Sequence, residues 1–291
     1  MECITNQVSP RFDATQGSNY RLSVLLLHDG FSFLVTHSGT LEILKLASYK
    51  LAHVDLQQAE LGGWPLHGKD YFEHLKEVDL THLPFQKVDI AVASYKLTIA
   101  PHEFFQLDGS MNIMSAAHTV KAEETILAEP IFEAGPVTAV LIPAYISEYC
   151  EAIFPGAKLR CAPAVFVKGV MRKHSKLIAR QVFLNIQRGF FEIAVIQGSR
   201  LLYLNAFRYS APTDVLYYVI FVLEQLGFVP SEEKITLMGE ISESSIISEQ
   251  LKMYCESLRF AEIPDGLEFG EAFDNITPHN YFTLLNIPVC E

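Results

Sequence analysis

The sequence predicts a two-lobed α/β protein built by internal duplication, and three observations carry that expectation. Residues Leu25 to Ala47 (LLLHDGFSFLVTHSGTLEILKLA) lie over Leu184 to Ala206 (LNIQRGFFEIAVIQGSRLLYLNA) without a gap. Gly30 falls on Gly189, Phe31 on Phe190, Gly39 on Gly198 and Ala47 on Ala206. Each segment reads strand, turn at glycine, strand, turn at glycine, strand, because spaced glycines mark reversals where positive φ is needed. The chain has 291 residues, of which 49% are apolar, more than one core usually takes and enough to fill two. Helical and β patterns also alternate after the second meander. That order sets antiparallel strands beside parallel ones reached by right-handed helical crossovers.

Along the chain, residues before about Gly17 read as a loose leader. Strands are expected over 20–28, 31–37 and 41–49, and a helix over Lys69 to Val78 with Tyr71, Phe72, Leu75 and Val78 near one face. Val88 to Ser94 and Leu97 to Ala100 are short β runs. His102 to Leu107 is a helical turn, Ser110 to Lys121 weakly helical, and Thr125 to Phe132 a strand. The β-branched run Val137 to Ile142 ends at Pro143. A helix over Ala144 to Phe154 is broken by Pro155-Gly156. Lys158 to Cys161 reads as strand and Ala164 to His174 as helix. After the second meander, Ala211-Pro212-Thr213-Asp214 opens a helix that Gly227 closes. Lys234 to Met238, Ser244 to Tyr254 and Leu258 to Ile263 then read strand, helix, strand. The tail, Asn275 to Glu291, carries Tyr281, Phe282, Leu284, Leu285 and Ile287, an apolar load that implies docking.

Composition narrows the function classes. A formal charge of −12 disfavours phosphate-backbone binding, which needs clustered Lys and Arg. The basic cluster Lys168, Arg172, Lys173, His174, Lys176 and Arg180 reads as a helix end, where cations complement the dipole. Glu262 to Asp274 reads as an acidic connection. The five cysteines include no CxxC pair, so neither a disulfide framework nor a metal site is signalled. No long apolar run suggests a membrane span, and MECITNQVSPRFDATQGSNY lacks the regions of a secretory signal. A cytoplasmic location is expected. The ten histidines show no HxH or HExxH spacing. Glu73-His74 and the turn pair His28-Asp29 are weak acid–base candidates.

The order βββ-α-β-α-β resembles the ribonuclease H-like unit, two of which make the actin-like ATPase fold. Motif by motif, the resemblance runs from about residue 20 to 263. Asn185-Ile186-Gln187-Arg188-Gly189-Phe190-Phe191-Glu192-Ile193 resembles the family's second phosphate loop, whose pattern is Asp-Ile-Gly-Gly-Gly-Thr-Thr-Asp-Ile. Leu159 to Ala164 resembles the stretch before that loop. Ile235-Thr236-Leu237-Met238-Gly239-Glu240 resembles the adenosine motif, a strand running into Gly-Gly. The whole chain, with YRLSVLLLHDGFSF early and a tail ending NYFTLLNIPVCE, resembles an uncharacterised bacterial family assigned this fold. The implied division is a first lobe over 17–162 with an inserted subdomain near 88–133, a second lobe over 163–263, and a docking tail over 264–291.

The resemblance places the interlobe site at His28, Asp29, Gly30, Asn185, Gln187, Arg188, Gly189, Gly239 and Glu240. Family members organise Mg²⁺ with carboxylates and approach phosphates through glycines. Here the aligned aspartates are Leu26 and Asn185, two loop glycines are Gln187 and Arg188, the loop hydroxyls are Phe190 and Phe191, and the second adenosine glycine is Glu240. The expectation is therefore a non-catalytic interaction or scaffold module with no cofactor and a protein partner. The alternative is a nucleotide- or phosphometabolite-binding protein or kinase, using ATP and Mg²⁺ in a remodelled cleft.

Overall fold

A computed structural model of the chain describes residues 1–51, 63–65, 68–106, 110–133, 135–174, 176 and 178–290. The first lobe begins with β1 (Glu2–Val8), β2 (Tyr20–Leu27), β3 (Gly30–His37) and β4 (Ile43–Lys50). It continues through α1 (Lys69–Lys76), β5 (Lys87–Val92), β6 (Leu97–Ala100), α2 (Glu103–Gln106), α3 (Ser110–Ala117), β7 (Glu124–Pro130), β8 (Val137–Pro143), α4 (Tyr145–Ile153) and β9 (Lys158–Cys161). The long α5 (Ala162–His174) leads to the second lobe: β10 (Arg180–Gln187), β11 (Phe190–Gln197), β12 (Arg200–Arg208), α6 (Pro212–Gln225), β13 (Lys234–Gly239), α7 (Ile246–Lys252) and β14 (Ser257–Phe260). The tail carries α8 (Phe282–Asn286) between short 3-10 turns.

Two sheets share one topology. The larger runs β1-β4-β3-β2-β5-β9, and the second β12-β11-β10-β13-β14. Without β1, both are an antiparallel meander followed by two parallel strands in identical order. These are two ribonuclease H-like lobes of the actin-like ATPase fold, related by duplication. Central strands are apolar on both sides because helices cover one face and the other lobe covers the second. On β2, Leu22, Val24 and Leu26 pack towards α1 and α4, while Leu25 and Leu27 turn inward to α5 and the tail. On β10, Val182, Leu184 and Ile186 pack under α6 and α7.

Several expectations are corrected. The stretch read as a leader forms β1, antiparallel to β4 with Glu2 opposite Lys50 and Val8 opposite Lys45. β5, read as the start of the insertion, pairs parallel with β2 in the main sheet. The separate three-stranded sheet is β6-β8-β7, so Val137 to Pro143 belongs to the insertion instead of the main sheet. Residues Leu107 and Glu291, parts of the helical-turn and tail readings, lie outside the described residues.

The ungapped overlay is one residue out of phase in the first hairpin. Leu27 pairs with Gly30 around the turn His28-Asp29, whereas Gln187 pairs with Phe190 around Arg188-Gly189. The next connection is longer by two residues in the first lobe, since Thr36 partners Ile43 while Ile196 partners Leu201. The overlay averaged these two offsets. Because side chains alternate faces, a one-residue slip matters. The counterpart of Asn185 is Leu25, and Leu26 lies in the core under the helices. Gly189 has φ +77, but Gly30 has no positive φ. Gly30 is needed because a Cβ would collide with the Tyr49 carbonyl on β4.

The tail sutures the lobes together. Phe282, Leu284, Leu285 and Ile287 are buried, and Tyr281 is half-buried with its hydroxyl 2.7 Å from Thr5 Oγ1 of β1. On α5, Gly169 leaves the space that the Asn286 side chain fills. Arg160, 1% exposed, donates to the Cys290 carbonyl at 2.6 Å and to Glu129 at 2.6 and 2.9 Å. Lys168 Nζ reaches Glu129 at 2.6 Å, Arg172 donates to the Val289 carbonyl, and Lys173 pairs with Glu262 at 2.7 Å. Three of the cations in the basic cluster thus hold structure together.

Candidate functional site

A cavity of about 400 Å³ opens between the lobes where the β2–β3 and β10–β11 hairpins converge. The ends of five strands and the tail build it. β2 and β3 supply Leu25, Leu27 and Ser32, β4 supplies Ser48 and Lys50, β10 supplies Asn185 and Gln187, the residues after β13 supply Glu240 and Ile241, and the tail supplies Asn280, Tyr281 and Thr283.

Lys50 is the centre of its electrostatics. Its ammonium lies 2.8 Å from Asp29 Oδ2 and also pairs with Glu240 Oε1, so one cation ties the first-lobe turn to the second lobe. Burial works against the Lys50 charge, yet Glu240 and Asp29 outweigh it and hold the group above the ordinary lysine value. Asp29 is almost fully buried, and the Arg188 guanidinium stands 3.9 Å from it across the hairpins. Gly239 has φ +86, and a Cβ there would meet the Ile186 carbonyl. That turn aims the Glu240 side chain at Lys50, while its N–H donates to Ile186 O at 2.8 Å.

The second-lobe wall is a buried polar chain. Gln187 Nε2 donates to Asn185 Oδ1 at 3.2 Å, and Asn185 Nδ2 donates to Glu192 Oε2 at 2.6 Å and to Thr283 Oγ1 at 3.3 Å. Glu192 is enclosed, and burial pushes its carboxyl up to about 7 against the lowering effect of the Asn185 hydrogen bond. Its Oε1 has no partner among the described residues. Ser32 donates to Ser48 at 2.9 Å on the facing wall.

Of the nine residues expected at the site, Asp29, Gly30, Asn185, Gln187 and Glu240 line the cavity. Arg188 approaches its edge, and Gly189 and Gly239 shape its turns. His28 turns away: it is buried 6.1 Å from the Phe190 ring, and burial lowers its affinity for a proton. Sequence reasoning missed Lys50, Ser48, Thr283 and Tyr281. Lys50 was accessible through register alone, since the last residue of β4 pairs with Gly30 beside Asp29. The tail residues carry no local signal of where they dock. Among the described residues no group of three or more His, Cys, Asp or Glu is placed to hold a metal. Both carboxylates on the cavity are engaged by one lysine.

The chain belongs to the family described as protein of unknown function DUF3822, whose model matches residues 9–258. No curated protein matches it. Among solved structures it is similar to a Bacteroides thetaiotaomicron protein with actin-like ATPase fold and unknown function, with TM-score 0.79 and 18% identity over 96% of this chain and 99% of that one. It is also similar to a chain of the PilM-PilN type IV pilus biogenesis complex, with TM-score 0.66 and 10% identity over 92% and 97%. A third likeness is to the ethanolamine utilization protein EutJ from Carboxydothermus hydrogenoformans, with TM-score 0.51 and 11% identity over 98% and 93%. At these identities the likenesses establish the fold.

Proposed function

We propose that this protein is a non-catalytic interaction or scaffold module that keeps the actin-like fold and has lost its ATPase chemistry. The observation that carries the reading is the Lys50 ion group. Where a nucleotide's phosphates would need free donors, Asp29 and Glu240 present negative charge, and Lys50, the one cation among the described residues lining the cavity, is engaged by both. Leu25 and Asn185 stand at the two strand positions facing the cavity, and neither is an anion. The residues present therefore do not suit Mg-ATP. The likeness to a protein solved as the PilM-PilN complex supports a protein partner. No helix among the described residues is long and apolar enough to cross a membrane.

A second reading rests on the cavity itself, which is large enough for a small ligand. Thermal shift with millimolar Mg-ATP and Mg-ADP separates the two, since a ligand at about 100 times its Kd adds roughly 2.7 kcal/mol. The expected result is no shift and no phosphate release above buffer. Turnover abolished by Asn185→Ala would overturn the scaffold reading in favour of the remodelled-cleft one. Turnover indifferent to that substitution would identify a contaminant.

A further inference from the structure

We propose that the outer face of α6 and α7 is a docking surface for a basic amphipathic helix of a partner protein. The inference rests on the interaction-module reading and gives that module a place and a partner chemistry. Surface helices normally put charged residues on their solvent stripe. On α6 that stripe runs Thr213, Tyr217, Phe221, Glu224, and its middle is aromatic. Tyr217 is 63% and Phe221 45% exposed, with rings stacked 6.2 Å apart. They are also braced from beneath: Tyr217 packs edge-on to Tyr218 at 5.3 Å, and Tyr218 stacks on Phe207 of β12 at 4.6 Å. Rings held this way lose little further freedom when a partner covers them.

The surface continues onto α7. α6 and α7 touch each other and both pack on the β10 face formed by Val182, Leu184 and Ile186, so they lie side by side on one face of the sheet. Ile246 at the start of α7 and Met253 just past its end are exposed, Met253 at 71%. Large apolar side chains left exposed on two adjacent helices mark interaction sites.

Charge selects the occupant. Lys234 and Lys252 are paired with Glu256 at 3.3 Å and Glu243 at 3.1 Å. Glu224, Glu232 and Glu249 are exposed and have no cation among the described residues. The rim is therefore acidic around an apolar centre. A second copy would bring two acidic rims together, and an anionic lipid surface would be repelled. A helix with an apolar stripe flanked by Lys and Arg satisfies both parts. The 14 residues of α6 span about 21 Å, room for roughly four turns of such a helix.

The test titrates the full chain into a fluorescein-labelled model helix of Leu and Lys with apolar residues at i, i+3, i+4 and i+7, read by anisotropy. A twin peptide carries Glu for Lys. The expected result is saturable binding of the Lys peptide, none of the Glu peptide, and a Kd raised about tenfold or more by Tyr217→Ser with Phe221→Ser. Unchanged affinity in that double variant would overturn the proposal, because binding would then follow net charge alone. So would sedimentation showing a dimer that the double variant dissolves, or co-flotation with anionic vesicles. Failure here with silent nucleotide assays removes this surface and leaves the module reading standing. Nucleotide turnover removes the module reading whatever the peptide does.

Discussion

In the first lobe, Leu25 on β2 faces Ser32 on β3, whose hydroxyl donates to Ser48 on β4. At the same three places in the second lobe stand Asn185, Glu192 and Ala206. The backbones repeat, strand for strand and partner for partner, yet the first lobe places a neutral hydroxyl pair there, while the second places a buried acid behind Asn185, outside the cavity lining. The difference extends to the turns: His28-Asp29 contributes a buried carboxylate, Arg188-Gly189 an exposed cation and a left-handed glycine. Register is set by core packing on the helix side of each sheet, so it survives divergence. Residues on the inner face answer to whatever fills the space between lobes. Here that is the Lys50 ion group and the tail, which reaches the second-lobe wall through Thr283 and Asn185.

Removing the tail is the most severe way to break this comparison. Deleting residues 276–291 exposes the surfaces that Phe282, Leu284, Leu285 and Ile287 cover, each worth about 1.5–3 kcal/mol. The sum rivals the whole stability of an ordinary domain, about 5–15 kcal/mol. The truncated chain should lose its cooperative thermal transition, and Leu285→Ala alone should cost about 2–5 kcal/mol. An unchanged melting temperature in the truncated chain would mean that the lobes cohere without the tail.

Glu192 tests the asymmetry of the two walls. Its folded-state value of about 7 lies above the ordinary 4.5, so the folded protein retains a proton that the unfolded chain releases. Stability from this group is full below about pH 4.5, falls as pH rises, and is lost above 7, about 3 kcal/mol in all. Glu192→Gln leaves an oxygen for Asn185 to donate to and abolishes the titration. The variant and the native protein should have similar stability near pH 4.5, with the variant more stable at pH 8. Parallel pH profiles would show that Glu192 is charged in the fold and that the second wall is not as dry as its packing indicates.

The elements were far more legible than the site. Periodicity and glycine spacing predict the meanders, α1, α4 to α7 and the parallel strands to within a few residues, because each of those signals is local. β1 escaped because ECITNQV is half polar, as befits an edge strand pairing on one side only. Five of nine site residues reached the cavity wall through motif order. Lys50 and Thr283 did not, because their positions are fixed by strand register and by tail docking, which couple residues far apart in sequence. His28 fails for a related reason. A polar pair at a turn looks solvated, but Phe190 of the other lobe closes over this one.

The smallest expected effect separates the two hairpin glycines, which the sequence aligned and the structure does not. Gly30 begins β3 without positive φ, and what it lacks is room: any Cβ would press on the Tyr49 carbonyl, which β-sheet pairing holds in place. Gly189 occupies a turn at φ +77, where the cost of a side chain is conformational. Alanine should therefore cost about 1–3 kcal/mol at Gly30 through forced displacement and about 1–2 kcal/mol at Gly189 through left-handed strain. Asparagine reverses the ranking within each site. At Gly189 it should be milder than alanine, because its side chain bonds locally and tolerates the left-handed region. At Gly30 it should be worse than alanine, because it is larger and φ was never the obstacle. Urea unfolding of the four variants reads the crossing directly. Asparagine milder than alanine at both positions would mean that the two turns impose one backbone constraint, restoring the matched-turn picture that the register contradicts.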